Sequence, residues 1–199
     1  MTTDKPRPRG RPRRFDPDEA VATAQRLFHA RGFDAVSVAD ITAALGINPP
    51  SFYAAFGSKA GLYARVVGRY DAAGAIILDD VLRPGRPVAE ALAALLEVAA
   101  RNYAADPAAA GCLILEGTRC DDSGARECAA AAVAAGEETI RRFVAAEYPE
   151  QAPQITDYVT TTMAGLSAKA REGQHFDRLL NTARLAGIVL TQALREASV

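Results

Sequence analysis

The chain has 199 residues, 49% of them hydrophobic, and a formal net charge of −1. This content is enough for a substantial core, in one large domain or in a small domain fused to a larger one. No window approaches the roughly 18 uninterrupted apolar residues that a membrane helix needs, and no apolar signal segment follows the basic amino terminus. We therefore expect a cytoplasmic protein with no membrane partner.

The amino-terminal stretch KPRPRGRPRRF is strongly basic, with six cations in residues 5–14. Residues 1–70 carry 11 Lys and Arg against 6 Asp and Glu, whereas residues 71–199 carry 12 against 18. A basic end on an acidic remainder is typical of a region that binds a polyanion. Without the arm at 1–14, basic and acidic residues are equal in number over residues 15–70. Charge therefore does not indicate a DNA-binding element beyond the arm, and such an element has to be identified from the helix pattern.

Residues 8–12 match the core of an AT-hook, in which arginines beside a glycine enter the narrow minor groove of A·T-rich DNA. The alternative is a disordered arm that touches phosphates without selectivity. Both interpretations make the arm an accessory to a reader further along the chain. The candidate DNA-contacting residues of the arm are Arg9, Arg11, Arg13 and Arg14.

Capping signals predict two helices after the arm. Asp16 is a candidate N-cap for a first helix that ends at Gly32. Ser37 can cap a second helix, with Asp40 three residues later in the manner of a capping box. Gly46 ends this helix at a position where positive φ costs glycine nothing.

A third short helix follows the glycine turn. Asn48 can cap it, Pro49 fits its first position, and Phe52 and Phe56 are spaced so that both face inward. A longer helix followed by two short helices around a glycine turn is the helix-turn-helix arrangement.

Residues 15–70 resemble the DNA-binding domain of the TetR family of bacterial transcriptional regulators. The resemblance rests on LFHARGFDAVSVADITAALGI at 27–47, on Phe52 and Tyr53, and on FGSKAGLY at 56–63. It implies that the remaining helices form a ligand-binding and dimerisation domain. Since a helix-turn-helix reader normally binds two half-sites, we expect a homodimer on a pseudo-palindromic operator in double-stranded DNA.

By this resemblance, residues 49–54 form the recognition helix and Tyr53 lies against the DNA backbone. Lys59 corresponds to a phosphate-binding lysine at the start of the next helix. The rings of the two prolines could meet thymine methyl groups, or the prolines could serve only to begin the helix. The expected DNA-contacting residues of this domain are Ser37, Thr42, Pro49, Pro50, Ser51, Tyr53, Ala54 and Lys59.

Beyond the reader, the pattern predicts an all-α bundle. The helix that follows the reader is expected to continue through GAIILDDVL to Leu82, where RPGRP breaks it. Further helices are predicted over 88–105, from GCLILEGTRC to an interruption at DDSG, and over 125–147, 153–171 and 177–197. The predicted domains are an arm at 1–14, a DNA-binding domain at 15–70 and a helical effector-binding and dimerisation domain at 71–199.

Apolar stripes and small residues on the last two helices predict an isologous four-helix dimer contact. The alternative is that one chain uses these faces internally. The candidate dimer residues are Ala164, Leu166, Leu179, Ala183, Ala186, Leu190 and Leu194.

A cavity walled by Ala-rich helices would suit a small, mostly apolar effector held by one or two polar groups. Packing in the bundle core explains each candidate lining residue equally well. The candidates are Tyr103, Cys112, Leu115, Glu116, Arg119, Phe143, Tyr158 and Met163.

The three cysteines, Cys112, Cys120 and Cys128, are expected to be free thiols. They are either small buried hydrophobes or, at Cys120, a reactive thiol whose pKa Arg119 lowers. The sequence has no P-loop, dinucleotide fingerprint, nucleophile elbow or HExxH motif, and two isolated histidines make a poor metal set. We therefore expect no enzyme, no cofactor and no metal.

The sequence as a whole predicts a DNA-binding transcriptional regulator, a repressor that leaves its operator when a small-molecule effector binds. The rival hypothesis is a non-regulatory architectural DNA-binding protein led by the AT-hook-like arm.

Overall fold

The computed structural model describes residues 16–73 and 76–197. These residues form ten α-helices and one short 3-10 turn, with no strand among them. The predicted all-α class is therefore confirmed. The arm with Arg9, Arg11, Arg13 and Arg14 lies outside the described residues, and the expectations for it stay predictions.

The first three helices begin and end where the local capping signals predict. α1 spans Pro17–Arg31, α2 spans Val38–Leu45 and α3 spans Pro49–Phe56. The side chains of Asp16, Ser37 and Asn48 each accept a hydrogen bond from an amide in the first turn of the helix that follows. Each bond satisfies a donor that the helix itself leaves without a partner, and so fixes where the helix begins.

The helix after the reader is shorter than predicted. α4 spans Lys59–Ala73, and α5 is a separate single turn at Leu78–Val81. Ile77, just before α5, has an extended backbone, and Asp79 and Asp80 lie in the first turn of α5. Acidic residues stabilise the amino end of a helix and oppose its carboxyl end. The prediction of one helix continuing to Leu82 is therefore wrong.

Five further helices form the body of the chain. α6 spans Val88–Ala104, α7 Leu113–Gly117, α8 Ser123–Ala145, α9 Ala152–Arg171 and α10 Phe176–Glu196, with the 3-10 turn at Pro107–Ala109. The four longer helices lie within two residues of their predicted bounds. Asp122, inside the predicted DDSG interruption, accepts a hydrogen bond from the amide of Ala125 and caps α8.

The inward side of α10 packs along α6 of the same chain, and α9 packs against both α6 and α8. A Cβ at Gly187 of α10 would lie 2.9 Å from the Cβ of Ala93 on α6, so glycine permits the close approach. The following residues of the predicted dimer contact are buried within one chain: Leu166, Leu179, Ala183, Ala186, Leu190 and Leu194.

This burial corrects the predicted dimer interface, because a side chain enclosed by its own chain has no surface to offer a partner. Ala164, the remaining member of that set, is half-buried and lines a cavity. A different side of α10 is exposed instead. Leu185, Ile188 and Val189 are 63%, 67% and 45% exposed, and their spacing of three and four positions puts them on one helix face.

α4 connects the first three helices to the body. It packs against α1 on one side and contacts α7 and α8 on the other. The predicted domain boundary at residue 70 therefore falls inside a continuous helix. In the part of the chain that the structure describes, no helix combines the length and the apolar character needed to cross a membrane.

Candidate nucleic-acid interface and effector cavity

α3, the predicted recognition helix, has a buried apolar side and an exposed side. Phe52 and Phe56 are buried, whereas Tyr53 is 51% exposed, so the predicted exposure of Tyr53 is confirmed. The exposed residues at the other predicted contact positions are Pro49, Pro50, Ser51 and Ala54. This side offers hydroxyl groups and small apolar groups, which suit phosphates and base methyl groups respectively.

Lys59 lies at the start of α4, where its ammonium group is tied to the turn between α1 and α2. Its Nζ donates to the carbonyls of Phe33 and Val36 at 3.0 Å each and lies 4.0 Å from the centre of the Phe33 ring. These contacts hold the turn against α4. Two of the three ammonium donors are therefore used, and a phosphate contact through the third stays a prediction.

The two residues of the α2 region that were expected to contact the DNA backbone differ in exposure. Ser37 is exposed, and its hydroxyl donates to the Asp40 carboxylate at 2.6 Å. Thr42 is only 7% exposed, and its hydroxyl donates to the carbonyl of Ala39 at 3.1 Å. This burial argues against a phosphate contact by the Thr42 side chain.

The capping box at the start of α2 holds an ionised carboxylate in place. Hydrogen bonds from the hydroxyl and the amide of Ser37 lower the pKa of Asp40 to about 2, with a smaller contribution from Arg31. The Arg31 guanidinium lies 3.5 Å from this carboxylate and also donates to the carbonyl of Ala35 at 2.6 Å. The predicted capping role of Asp40 is therefore confirmed. Its carboxylate holds the start of α2 through hydrogen bonds with Ser37 and through the contact with Arg31.

A cavity of about 290 Å³ lies among the helices from α4 to α9. Buried residues such as Tyr70, Tyr103 and Ile140 form its inner end, and exposed residues such as Asn102 and Glu137 mark its mouth. The lining residues are Tyr70, Ile76, Leu78, Asn102, Tyr103, Cys112, Ile114, Leu115, Ala132, Val133, Gly136, Glu137, Ile140, Thr160, Thr161, Met163 and Ala164.

Half of the predicted effector residues line this cavity, namely Tyr103, Cys112, Leu115 and Met163. The other half, Glu116, Arg119, Phe143 and Tyr158, do not line it. The carboxylate of Glu116 faces Arg171, with 3.3 Å between Oε2 and Nε. Arg119 is exposed, and the two aromatic residues are half-buried against the core.

The inner end of the cavity carries hydroxyl and thiol groups that are uncharged at neutral pH. Burial raises the pKa of Tyr70, and the neighbouring Cys112 adds to the increase. Burial also raises the pKa of Tyr103 and the pKa of Cys112. The backbone amides of Ile114 and Leu115, at the start of α7, donate toward the Cys112 thiol. These two donors are therefore used within the protein.

Gly111 and Cys112 connect the cavity to α1. The Cys112 amide donates to Oγ of Ser167 on α9 at 2.9 Å, and the Gly111 amide donates to the carbonyl of Tyr103 at 2.8 Å. The Gly111 carbonyl lies 3.1 Å from Nε2 of His29, near the end of α1. Gly111 has a φ of 79°, and a Cβ there would lie 2.9 Å from the Ser167 carbonyl oxygen, so this position requires glycine.

His29 is held at this contact from several sides. Its ring packs edge-on against Tyr70, with 5.4 Å between ring centres, and its backbone carbonyl accepts a hydrogen bond from Arg171 at 3.1 Å. Burial lowers the pKa of His29, and Arg171 adds to the decrease, whereas the Gly111 carbonyl and Asp106 oppose it. The neutral ring therefore carries its hydrogen on Nε2 and donates it to the Gly111 carbonyl.

Two more contacts join the first helices to the same part of the body. The buried hydroxyl of Tyr63 on α4 donates to the carbonyl of Leu113 at 3.3 Å, and a Cβ at Gly117 would overlap that hydroxyl oxygen. In the turn between α1 and α2, the carboxylate of Asp34 accepts from the amide of Asp121 at 3.1 and 3.2 Å. Residues 111–121 therefore meet α1, α4 and the turn between α1 and α2.

Cys120 lacks the environment of an activated thiol. Burial raises its pKa, and the carboxylates of Asp34 and Asp122 raise it further, while Arg126 opposes the increase. The expectation that Arg119 lowers the pKa of this thiol is therefore wrong. The cysteines are free, and among the described residues no group of three or more His, Cys, Asp and Glu side chains could hold a metal ion.

Comparisons with known proteins agree with this architecture. Residues 20–66 match the family of bacterial regulatory proteins, tetR family. The chain is 49% identical to the HTH-type transcriptional repressor BdcR of Escherichia coli (strain K12), over 98% of this chain and 100% of BdcR. It is 30% identical to the HTH-type transcriptional repressor ComR of the same organism, over 88% of this chain and 89% of ComR.

Solved structures show the same similarity. A cysteine mutant of the TetR family transcriptional regulator CifR, complexed with 26-bp double-strand operator DNA, has a TM-score of 0.80 and 29% identity, covering 89% of this chain and 98% of that chain. A TetR transcriptional regulator from Chloroflexus aurantiacus has a TM-score of 0.74 and 25% identity, covering 88% and 94%. The chain therefore belongs to the TetR family of bacterial transcriptional regulators, with α2 and α3 as its helix-turn-helix.

Proposed function

We propose that this protein is a repressor that binds a pseudo-palindromic operator in double-stranded DNA as a homodimer and releases it when a small molecule occupies the cavity. The observation that carries the proposal is the exposed side of α3, where Ser51 and Tyr53 face outward while Phe52 and Phe56 are buried. Similarity to BdcR, named a transcriptional repressor, over the whole length of that protein supports repression as the direction of control.

The outer face of α10 supports a dimer. Leu185, Ile188 and Val189 expose large apolar groups side by side, and an exposed apolar patch of this kind is typical of an interaction surface. In an isologous contact, this face would pack against the same face of a second copy, and the three side chains would be buried in both copies. Such a dimer would carry two recognition helices, as two operator half-sites require.

Residues 111–121 support a route from the cavity to the DNA-binding helices. Cys112 lines the cavity, while its neighbours Gly111 and Leu113 contact His29 and Tyr63. An effector shifts the DNA-binding equilibrium only if its affinity differs between the arrangement of the protein that binds the operator and the arrangement that does not. Displacement of this segment by an effector would change its contacts with α1 and α4 together, and so change the separation of the two readers.

The experiment that tests the proposal is selection of bound fragments from genomic DNA by the full chain. A regulator should enrich a few fragments that share a short two-fold site. The double variant Ser51→Ala, Tyr53→Ala should weaken binding to an enriched fragment by about tenfold or more, because each missing hydroxyl removes a hydrogen bond to a charged phosphate. Ser123→Ala, which removes an exposed hydroxyl from α8, is the control and should bind like the wild type.

Uniform coating of A·T-rich DNA, with the same affinity in the double variant and the wild type, would contradict the proposal. That result would favour the architectural DNA-binding protein instead.

A further inference from the structure

We infer that the effector is an uncharged small molecule with a mostly apolar body and one hydrogen-bond acceptor, which it presents to the hydroxyl of Tyr103 at the inner end of the cavity. The inference rests on the proposed function, because it names the chemical class of the molecule that would occupy the same cavity.

The size of the cavity limits the ligand. Its volume is about 290 Å³, and one water molecule occupies roughly 30 Å³ in the liquid. The cavity therefore has room for about ten non-hydrogen atoms. A nucleotide or a peptide of several residues is too large for it without a rearrangement of the helices.

The walls of the cavity are mainly apolar. Ile114, Val133, Ile140 and Met163, from α7, α8 and α9, face it from different directions. A ligand body without polar groups gains from contact with such walls, whereas each polar group placed against them loses its hydrogen bonds to water. Most of the ligand surface should therefore be hydrocarbon.

Tyr103 provides the specific polar contact. Its side chain lines the cavity, only 3% of the residue is exposed, and burial is the main cause of the raised pKa of its hydroxyl. The other buried tyrosine of the cavity, Tyr70, interacts with the Cys112 thiol and the Leu113 backbone. The hydroxyl of Tyr103 is a hydrogen-bond donor at the inner end of the cavity, and an oxygen or nitrogen acceptor on the ligand would pair with it.

An anion does not fit this site. Glu137, the one charged side chain among the described lining residues, is acidic and exposed at the mouth. The positive charge of Arg171 lowers the pKa of Tyr70 and of Cys112, but Arg171 is not one of the residues that line the cavity. Its guanidinium lies 3.3 Å from the carboxylate of Glu116. A carboxylate or phosphate at the inner end would therefore lose its hydration without gaining a cation.

A cation is disfavoured at the same place for a related reason. The inner end offers the hydroxyls of Tyr70 and Tyr103 and the thiol of Cys112, with no carboxylate among its described lining residues. The carboxylate of Glu137 is exposed to solvent, which screens its attraction for a charge deeper in the cavity.

The test compares three probes with equal numbers of non-hydrogen atoms, titrated into the full chain and followed by ligand-detected NMR. Acetophenone has a carbonyl acceptor, isopropylbenzene has the same shape without an acceptor, and benzoate is an anion. The ratio of acetophenone affinity to isopropylbenzene affinity should be about two- to tenfold higher in the wild type than in a variant without the Tyr103 hydroxyl, which is the range expected for one neutral hydrogen bond. Benzoate should not bind detectably.

Tyr103→Phe removes only the hydroxyl, so it should lower the affinity ratio of the two neutral probes by about two- to tenfold. Tyr158→Phe removes a phenolic hydroxyl outside the cavity lining and should leave the ratio unchanged. Thermal denaturation of both variants reports that each is folded.

Two results would overturn the inference while leaving the cavity as the effector site. They are binding of benzoate as tight as that of acetophenone, and an unchanged affinity ratio in Tyr103→Phe. Failure of all three probes to bind would instead contradict the proposed release by a ligand in this cavity, and the inference would fall with it.

Discussion

His29 places a titratable ring between α1 and the segment that lines the cavity. Its Nε2 donates to the Gly111 carbonyl at 3.1 Å, and its own carbonyl accepts from Arg171. Burial disfavours the protonated ring, so the folded protein resists protonation more strongly than the unfolded chain does. Acid should therefore destabilise the folded protein, because a charged ring would be buried at this contact.

The sign of the pH dependence follows from the lowered pKa of His29. Its ordinary value is 6.5, so as the pH falls below 6.5 the unfolded chain takes up the proton first and the free energy of unfolding should decrease. The stabilisation is present above pH 6.5 and disappears as the pH falls toward the lowered pKa. His29→Gln keeps a donor for Gly111 and removes the titration, so its unfolding free energy should lack this decrease.

Chemical denaturation at a series of pH values above and below 6.5 measures the effect. His175→Gln, at an exposed histidine, is the control and should keep the decrease. An equal loss of stability on acidification in wild type and His29→Gln would show that another group is responsible.

Single residues were predictable where a local pattern decides their exposure. The inward spacing of Phe52 and Phe56 left Tyr53 facing outward, as the structure confirms. Thr42 and Lys59 were less predictable. The Lys59 ammonium reaches the carbonyls of Phe33 and Val36 across more than twenty positions, and no local sequence signal indicates such a contact.

At the scale of elements, α10 has two apolar faces with different roles. Leu190 is fully buried against the chain, whereas Ile188 is 67% exposed. Ile188→Arg should therefore weaken the dimer and operator binding while keeping the helix content and thermal stability. Leu190→Arg should destabilise the monomer itself, by about 4 kcal/mol or more, because it buries an unpaired charge.

Sedimentation velocity and circular dichroism of the two variants separate these effects. A dimer that is unchanged in Ile188→Arg would remove the outer face of α10 from the interface.

Helix bounds were predictable where capping residues set them, whereas the partner of each helix face is decided by tertiary contacts. Asp16, Ser37 and Asn48 determine the starts of α1, α2 and α3 through hydrogen bonds within three positions. On α10, by contrast, helical periodicity identifies an apolar stripe but does not tell whether it faces α6 or a second chain. The buried stripe with Leu190 was therefore mistaken for the dimer contact.

At the scale of the whole molecule, the basic arm should contribute to the affinity for DNA, and the helix-turn-helix should determine the preferred sequence. Deletion of residues 1–14 removes six cations, so it should weaken operator binding. It should also flatten the salt dependence of that binding, by about 0.9 in log–log slope for each phosphate that the arm neutralises in the intact protein. The preferred half-site sequence should stay the same, because α3 reads it.

Titrations of the truncated chain on operator and unrelated DNA at several salt concentrations measure both quantities. Retained affinity without operator selectivity would identify the arm as the reader and reverse this assignment.

The arrangement of the whole molecule was the hardest part to predict. Tyr103, Cys112, Leu115 and Met163 were expected to line a cavity, but periodicity could not exclude Phe143, which lies on α8 and packs against the core. The contact between α1 and the cavity segment has no local signal, because His29 and Gly111 are 82 positions apart. Such pairs come together only when the helices have packed.

Footprinting on an enriched operator fragment, combined with the mass of the complex from sedimentation, tests the central claim most directly. Two copies of the chain should protect two symmetry-related half-sites whose centres lie about one helical turn, or a multiple of it, apart. Specific protection of a single half-site by one copy of the chain would contradict the account.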